Sequence, residues 1–259
     1  MTAKTNLKDV TFLIPLRLDS IDRLENLLEI VDFINRNFDT YIHVLEADEY
    51  NNTLLSRLLP VEVKITFEED FDPVFHRTYY INQLVRKTFT PIVAIWDSDV
   101  LVTKEQILEA VGIVRDKKAD FASPYKKKAL DTSKIVRELY FQTKNFNVLK
   151  ENELKMKELY APNPVGGGFF ANRLAYLASG LENEFFYGWG KEDGERINRW
   201  ETLGYKFKRV EGYMYHLTHE RGINSGFHSK RQVEIKQAEL ERLAMMSKEQ
   251  LLKEMSTWY

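Results

Sequence analysis

The sequence predicts an α/β fold in which buried strands alternate with helices around one sheet. Three observations carry this reading. Short apolar, β-rich runs recur at Val10–Leu16, Tyr41–Leu45, Val61–Phe67 and Pro91–Trp96. Between them, apolar residues return at helical spacing, as in Leu24, Leu27, Leu28, Val31 and Ile34. The acidic segments Glu46–Glu49 and Asp97–Asp99 follow directly on two of the strands. Strands alternating with helices argue a parallel sheet in an α/β sandwich, and in such sheets ligands collect at the carboxyl ends of the strands.

Taken in order, the first strand ends near Pro15, and Asp19 or Ser20 is placed to cap the next helix. The second strand runs into the acidic turn, so Glu46 joins the candidate site residues. The third alternates in polarity from Val61 to Phe67, and a helix follows from about Val74 to Lys87. The fourth strand is apolar throughout and leads into Asp97-Ser98-Asp99. Residues 133–159 read as helical and charged. Pro162–Gly168 reads as a glycine-rich loop, a helix is expected near 191–203, and Tyr213–Leu217 reads as a strand. Residues 229–259 read as two amphipathic helices broken near Ser247. This divides the chain into a main domain, 1–228, and a C-terminal helical extension, 229–259.

The chain has 259 residues, 44% of them hydrophobic and 29% charged, which suits one sizeable globular domain. A formal net charge of −2 provides no basic field, so nucleic acid is not an expected partner. There is no cysteine, so the fold depends on no disulfide and any metal must sit on oxygen and imidazole ligands. No run approaches the roughly 18 apolar residues of a membrane span. The N-terminus does not read as a signal peptide. These features place the protein in the cytoplasm by expectation. Contact with the inner face of a membrane, through Leu240, Leu243, Leu251 and Leu252, stays open beside packing on the protein's own core.

Four constellations bear on chemistry. Asp97 and Asp99 flank Ser98 just past a buried strand, where two carboxylates can hold a divalent cation whose shell is completed by phosphates. The plainer reading is a capped turn with Asp99 as N-cap. A rival chemical reading makes Asp97 a phosphatase nucleophile, but that motif commonly follows a first strand, and here it follows the fourth. Gly188-Trp189-Gly190-Lys191-Glu192-Asp193 is more specific. Carboxylates suit a first helical turn, yet a helix start does not explain Gly-Trp-Gly. A tryptophan between glycines offers a plate for a sugar face, and Asp193 can take a proton from a hydroxyl. His216, His219 and Arg221 lie within six residues: His216 can complete a metal shell begun by Asp99, and His219 or Arg221 can meet diphosphate oxygens. Phe75, His76 and Arg77, with Asn82 further on, can hold a base or open an amphipathic helix. His43 reads as structural, His228 has no assignment, and Lys126–Lys128 reads as a solvated face.

In this order and spacing, residues 10–228 resemble the GT-A glycosyltransferases, most nearly the β-1,4-galactosyltransferase group and bacterial chondroitin-polymerase-like enzymes. The resemblance implies a Rossmann-like mixed sheet flanked by helices. It implies a nucleotide-binding half, 1–100, and an acceptor-binding half, 101–228. Pro15 and Arg17 fall in what looks like the first-strand nucleotide-binding motif. Phe75, Arg77 and Asn82 are similar to the segment that meets uracil. Asp97-Ser98-Asp99 matches the Asp-x-Asp motif, whose last Asp ligates Mn²⁺ (or Mg²⁺). Gly166, Gly167 and Gly168 match the glycines ahead of the acceptor motif. Trp189, Gly190, Glu192 and Asp193 match residues that meet the acceptor sugar, Asp193 being the base. His216 falls where the metal-binding His follows.

The implied activity is inverting transfer of a hexose or N-acetylhexosamine from a UDP-sugar to a saccharide or lipid-linked saccharide acceptor. Related retaining enzymes carry Asn at the position of Asp193, and an amide cannot act as a base. A non-catalytic sugar-binding module is the further alternative. Two departures stand out: Lys191 replaces a glycine, and Tyr213 stands where the galactosyltransferases have a Met ligand.

Overall fold

A computed structural model describes residues 3–160 and 164–258. In chain order its elements are β1 (Thr5–Leu16), α1 (Ile21–Asn37), β2 (Phe38–Asp48), α2 (Leu54–Leu58), β3 (Lys64–Glu69), α3 (Arg77–Arg86), β4 (Ile92–Trp96) and β5 (Val100–Leu101). There follow α4 (Lys104–Arg115), β6 (Phe121–Ser123), β7 (Ala129–Asp131), α5 (Lys134–Thr143), α6 (Asn147–Glu151), β8 (Lys157–Leu159), β9 (Gly168–Asn172) and α7 (Arg173–Ala178). The chain continues with α8 (Glu192–Leu203), β10 (Phe207–Arg209), β11 (Met214–His216), α9 (Lys230–Ala244) and α10 (Lys248–Met255).

Seven strands form the main sheet in the order β10-β6-β9-β4-β1-β2-β3. β1 to β4 pair in parallel, as alternation with helices requires. The sheet is nevertheless mixed, because β9 runs antiparallel between β4 and β6. A smaller sheet, β5-β11-β7-β8, lies beside it. Side chains leave a strand on alternate faces, and β1 shows the consequence. Phe12 and Ile14 join a core with Leu27 and Ile30 of α1 and Ile107 of α4. Leu13 joins the opposite core with Ile81 of α3, Tyr176 of α7 and Trp200 of α8. In that second core Phe121 stacks on Trp200 at 3.6 Å.

Several expected boundaries move. β1 begins at Thr5 because its polar first half still pairs with Phe38 and Asp39 of β2. The third strand starts at Lys64: a turn closed by Val63 N–H to the Pro60 carbonyl leaves Val61 93% exposed. The helical reading of 133–159 fails at its end, where Lys157–Leu159 pairs with β7 as a strand. Asp99 does not cap a helix; Thr103 does, in a capping box with Gln106. Ser20 caps α1, and Ser247 separates α9 from α10 as expected. His43 is buried against Thr66, and Lys126–Lys128 is exposed. Residues 162 and 163 of the glycine-rich loop lie outside the described residues. Among the described residues, no helix is long and apolar enough to cross a membrane.

The C-terminal extension packs on the main domain. Leu243 and Leu251 bury against Phe186 and Leu203. Of the other two leucines, Leu240 packs against this cluster and Leu252 is 47% exposed.

Candidate active site

The end of β4 places the first acidic motif. Trp96 pairs with Gly168, and the ring of Trp96 lies so close that a Cβ on Gly168 would meet it at 3.0 Å. The Trp96 indole donates to the Val100 carbonyl (2.9 Å), so the chain turns tightly through Asp97-Ser98-Asp99. β5 then pairs antiparallel with β11, setting His216 opposite Val100. The Asp99 carbonyl accepts from Leu217 N–H at 2.7 Å. Two short strands thus carry a histidine from the second half of the chain onto an aspartate from the first.

Asp99, His216 and His219 are buried, and one ligand atom of each lies within 4.8 Å of the others. From Asp99 Oδ2, His219 Nε2 is 3.2 Å away and His216 Nε2 3.6 Å. The other ring nitrogens are engaged. His219 Nδ1 lies 2.7 Å from the Glu220 carbonyl, which can only accept, so Nδ1 carries the proton. His216 Nδ1 faces Asp131 at 2.8 Å. Nε2 of both rings therefore faces the Asp99 side, with carboxylate or carbonyl support behind each ring, the usual support of metal-binding histidines. Burial opposes a charge on His216, but Asp99 and Asp131 outweigh it and hold its pKa above the ordinary value. Burial likewise opposes the Asp99 carboxylate, yet His216, His219 and Arg23 pull its pKa well down. A pocket that favours a proton between these groups also favours a cation. An oxygen and two imidazoles suit Mn²⁺ or a similar divalent ion.

His219 thus lies with Asp99 and His216 in a group that could hold a metal ion. The Tyr213 ring lies beneath Lys127 and its carbonyl accepts from Gln106.

The second motif lies on the same cavity, of about 510 Å³. Gly188, Gly190 and Lys191 all have positive φ (72°, 93° and 76°), a region that favours glycine. A Cβ on Gly190 would meet Phe227 at 2.7 Å. Phe227 in turn stands edge-on to Trp189, 5.0 Å between centroids. The Trp189 carbonyl accepts from Lys236 of α9 at 2.8 Å. Glu192 and Asp193 open α8. Burial, then the charge of Asp193, raises the Glu192 pKa to about 7, and its Oε2 has no hydrogen-bond partner.

Arg77 links the motifs. Its Nε and one terminal nitrogen donate to Asp97 Oδ1 at 3.0 and 2.6 Å, and its charge also acts on Asp193 and Glu192. Burial raises the Asp97 pKa against the pull of Arg77. That oxygen is thus tied twice to a guanidinium, and the motif follows the fourth strand here as the sequence indicated.

Of the residues expected at the site, Pro15, Arg17, Phe75, Arg77, Asp97, Ser98, Asp99, Gly167, Trp189, Gly190, Glu192, Asp193, His216, His219 and Arg221 line this one cavity. Arg17 is largely spent on structure: it bonds Asp70 at 2.5 Å, the Ala47 carbonyl at 2.9 Å and the Asp72 carbonyl. Three residues are not brought to the cavity wall. Asn82 is fully buried and bonds the Glu182 backbone, so it supports the site from behind. Glu46 is buried within β2, where it pairs with Leu16 and Phe67. Gly168 lies beneath Trp96. Gly166, first of the three glycines ahead of the acceptor motif, lines the cavity as well; reasoning on sequence missed Arg23, Tyr125, Asn224 and Leu240, which also line it. Their only signal was proximity to recognised motifs, and for Asn224 and Leu240 not even that.

A mixed sheet of this order, with an Asp-x-Asp turn at the end of its fourth strand and an acidic helix start across the same cavity, defines the GT-A glycosyltransferase fold. Residues 160–220 match the family model described as the N-terminal domain of galactosyltransferase. Among solved structures, the chain is similar to glucosyl-3-phosphoglycerate synthase of Mycobacterium tuberculosis, in complex with Mn²⁺, UDP and phosphoglyceric acid. That match has 16% identity and TM-score 0.56, over 89% of this chain and 78% of the other. It is similar to the catalytic domain of Drosophila β1,4-galactosyltransferase 7 in complex with xylobiose, at 17% identity and TM-score 0.55, over 90% and 79%. A mannosyltransferase of Pyrobaculum calidifontis, in complex with GDP-mannose and Mn²⁺, matches at 15% identity and TM-score 0.53, over 98% and 74%. No curated protein matches the chain.

Proposed function

We propose that this protein is an inverting, metal-dependent glycosyltransferase. It moves a hexose or N-acetylhexosamine, with galactose or N-acetylgalactosamine favoured, from a UDP-sugar to a saccharide acceptor. The observation that carries the reading is the meeting of the Asp99–His216–His219 trio and Asp193 on one cavity wall system. The Mn²⁺ and nucleotide complexes of the similar structures support it, and the galactosyltransferase segment favours galactose. Synthesis of a bacterial surface polysaccharide is the setting we favour, and a lipid-linked acceptor belongs to the same proposal.

Asp99, His216 and His219 would hold the Mn²⁺. When bound, the ion supplies positive charge against the diphosphate leaving group. The rest falls to side chains of the chain itself. Phe75 and Arg77 line the donor part, with Arg17 bracing the Phe75 loop. Trp189 offers its face to the acceptor sugar. Asp193 takes the proton from the acceptor hydroxyl as that oxygen attacks the anomeric carbon. The division into a nucleotide-binding half, 1–100, and an acceptor-binding half, 101–228, is part of this proposal, with the reservation that both histidines of the trio come from the second half.

A screen of UDP-sugars for slow hydrolysis in Mn²⁺ tests the reading without knowledge of the acceptor. One UDP-sugar should be cleaved, and EDTA should stop the reaction. Asp193→Asn should lower transfer by about 10²–10⁴-fold, the range of a lost general base, with UDP binding retained. Near-normal transfer by Asp193→Asn, or no cleavage of any UDP-sugar, would sink it.

A further inference from the structure

We propose that Arg196 and Gly166 position Asp193: Arg196 holds one carboxylate oxygen, and Gly166 leaves the space in which the other sits. The proposal rests on the reading of Asp193 as the base.

Arg196 lies three residues along α8 from Asp193, so the two share a helix face. Its NH2 donates to Asp193 Oδ1 at 2.5 Å. Its NH1 donates to both oxygens of Glu182, at 2.8 and 3.0 Å. Arg196 and Glu182 are each 1% exposed. The guanidinium lies over the Phe169 ring, 4.3 Å from its centroid. Glu182 also accepts from the Tyr176 hydroxyl. The Glu182 backbone is held on both its N–H and its carbonyl by Asn82, each at 2.9 Å. A chain of contacts thus runs Asn82, Glu182, Arg196, Asp193, from the core to the cavity. An exposed i, i+3 pair flexes and contributes little. This arginine is fixed by a buried carboxylate and an aromatic face, so the planar fork presents a fixed donor to Asp193.

The other oxygen has its own constraint. A Cβ on Gly166 would lie 2.5 Å from Asp193 Oδ2, and all three of its nearest atoms belong to the Asp193 carboxylate. Gly166 has no positive φ, so its backbone alone would accept alanine. Its carbonyl is anchored by the Tyr125 hydroxyl at 2.7 Å. The glycine at 166 is therefore accounted for by the carboxylate beside it. With Oδ1 engaged by Arg196, Oδ2 is the oxygen left to the reaction, and Gly166 and Asp193 both line the cavity. As the acceptor O–C bond forms, the O–H bond breaks and its proton passes to Oδ2, while the bond to the diphosphate oxygen breaks with its electron pair. Arg196 and Gly166 touch no reacting atom; they are positioning residues.

The test uses the full chain, UDP-galactose turnover with Mn²⁺, and calorimetry of UDP with Mn²⁺. Gly166→Ala leaves Arg196 and Glu182 in place and should fold normally. It should lower kcat at least 10-fold, with KM for UDP-galactose and the Kd of UDP within about twofold. Arg196→Gln paired with Glu182→Gln keeps the buried site neutral and should do the same. On an Asp193→Asn background Gly166→Ala should lower kcat no further, because residues acting through one group are not additive. Undiminished kcat in Gly166→Ala, a parallel loss of UDP affinity, or full additivity with Asp193→Asn would each overturn the proposal. Failure of the base reading shows separately, as Asp193→Asn retaining turnover.

Discussion

His219 Nε2 lies 3.2 Å from Asp99 Oδ2, nearer than the 3.6 Å that separates the same oxygen from His216 Nε2. His219 is 9% exposed, and the Glu220 carbonyl fixes which of its nitrogens is free. It is therefore as well prepared to bind a cation as His216. Replacing it by Asn should weaken Mn²⁺-dependent binding of UDP by at least the roughly 10–100-fold seen when metal-site support is removed. Asp131→Asn, which removes the carboxylate behind His216, should fall within that range. Calorimetry with and without Mn²⁺ reads both. An unchanged Mn²⁺ effect in His219→Asn would return His219 to a role at the phosphates.

Lys191 occupies a left-handed position, φ 76° and ψ −19°, as the N-cap of α8, with no side-chain capping bond. A residue with a Cβ is disfavoured there by roughly 1–2 kcal/mol. The sequence resemblance puts glycine at this place. Lys191→Gly should therefore raise stability by about 1 kcal/mol, read as a rise of about 2–4 °C in Tm. If turnover falls while Tm rises, the strain is retained because the ammonium meets substrate. If Tm does not rise, the strain argument is wrong.

The legible parts of the molecule were those whose signal is local. The strand Ile92–Trp96 is apolar at every position and buried on both faces, so it stood out. Gly188–Asp193 stood out because positive φ at two glycines leaves a compositional trace. The short strand Lys157–Leu159 did not: three residues, two of them charged, carry no period, and pairing with β7 alone makes it a strand. Asn82 was misplaced for a geometric reason. Five residues along a helix is a rotation of about 140° from Arg77, which turns Asn82 from the cavity into the core. Asp131 acts through a contact with His216, many residues away, and no sequence spacing announces it; Gly166 stood in the glycine run, but its contact with Asp193 has no trace there.

Lys236 brings the C-terminal extension into the site. It is 3% exposed, its Nζ donates to the Trp189 carbonyl at 2.8 Å, and it lies over the Phe227 ring. These contacts hold the Gly-Trp-Gly turn from the side of α9. Lys236→Met keeps the length and the apolar stem but removes the donor. The Trp189 carbonyl then loses a bond to a charged group, an effect of about 1.5–3 kcal/mol. The expected outcome is a rise of about tenfold or more in acceptor KM, with UDP binding unchanged. A variant that loses UDP binding instead would show that α9 supports the donor part.

Glu192 makes the protein's stability depend on pH in a direction that can be worked out. It is 7% exposed, its pKa is raised from 4.5 to about 7 by burial and then by Asp193, and Arg77, Arg196 and Lys236 offset only part of this. Below pH 4.5 the carboxyl is protonated in folded and unfolded chains alike, and its contribution is fully present. As pH rises towards 7 the unfolded chain releases the proton first, so that stability is progressively lost, and above 7 the loss is complete. The total is on the order of 3 kcal/mol. Glu192→Gln removes the ionisation and keeps the shape. Its Tm should exceed that of the wild type by several degrees at pH 8 and by much less at pH 5. A gap that stays constant, or widens towards acid, would mean that Glu192 is ionised in the folded protein and is held by the arginines behind it.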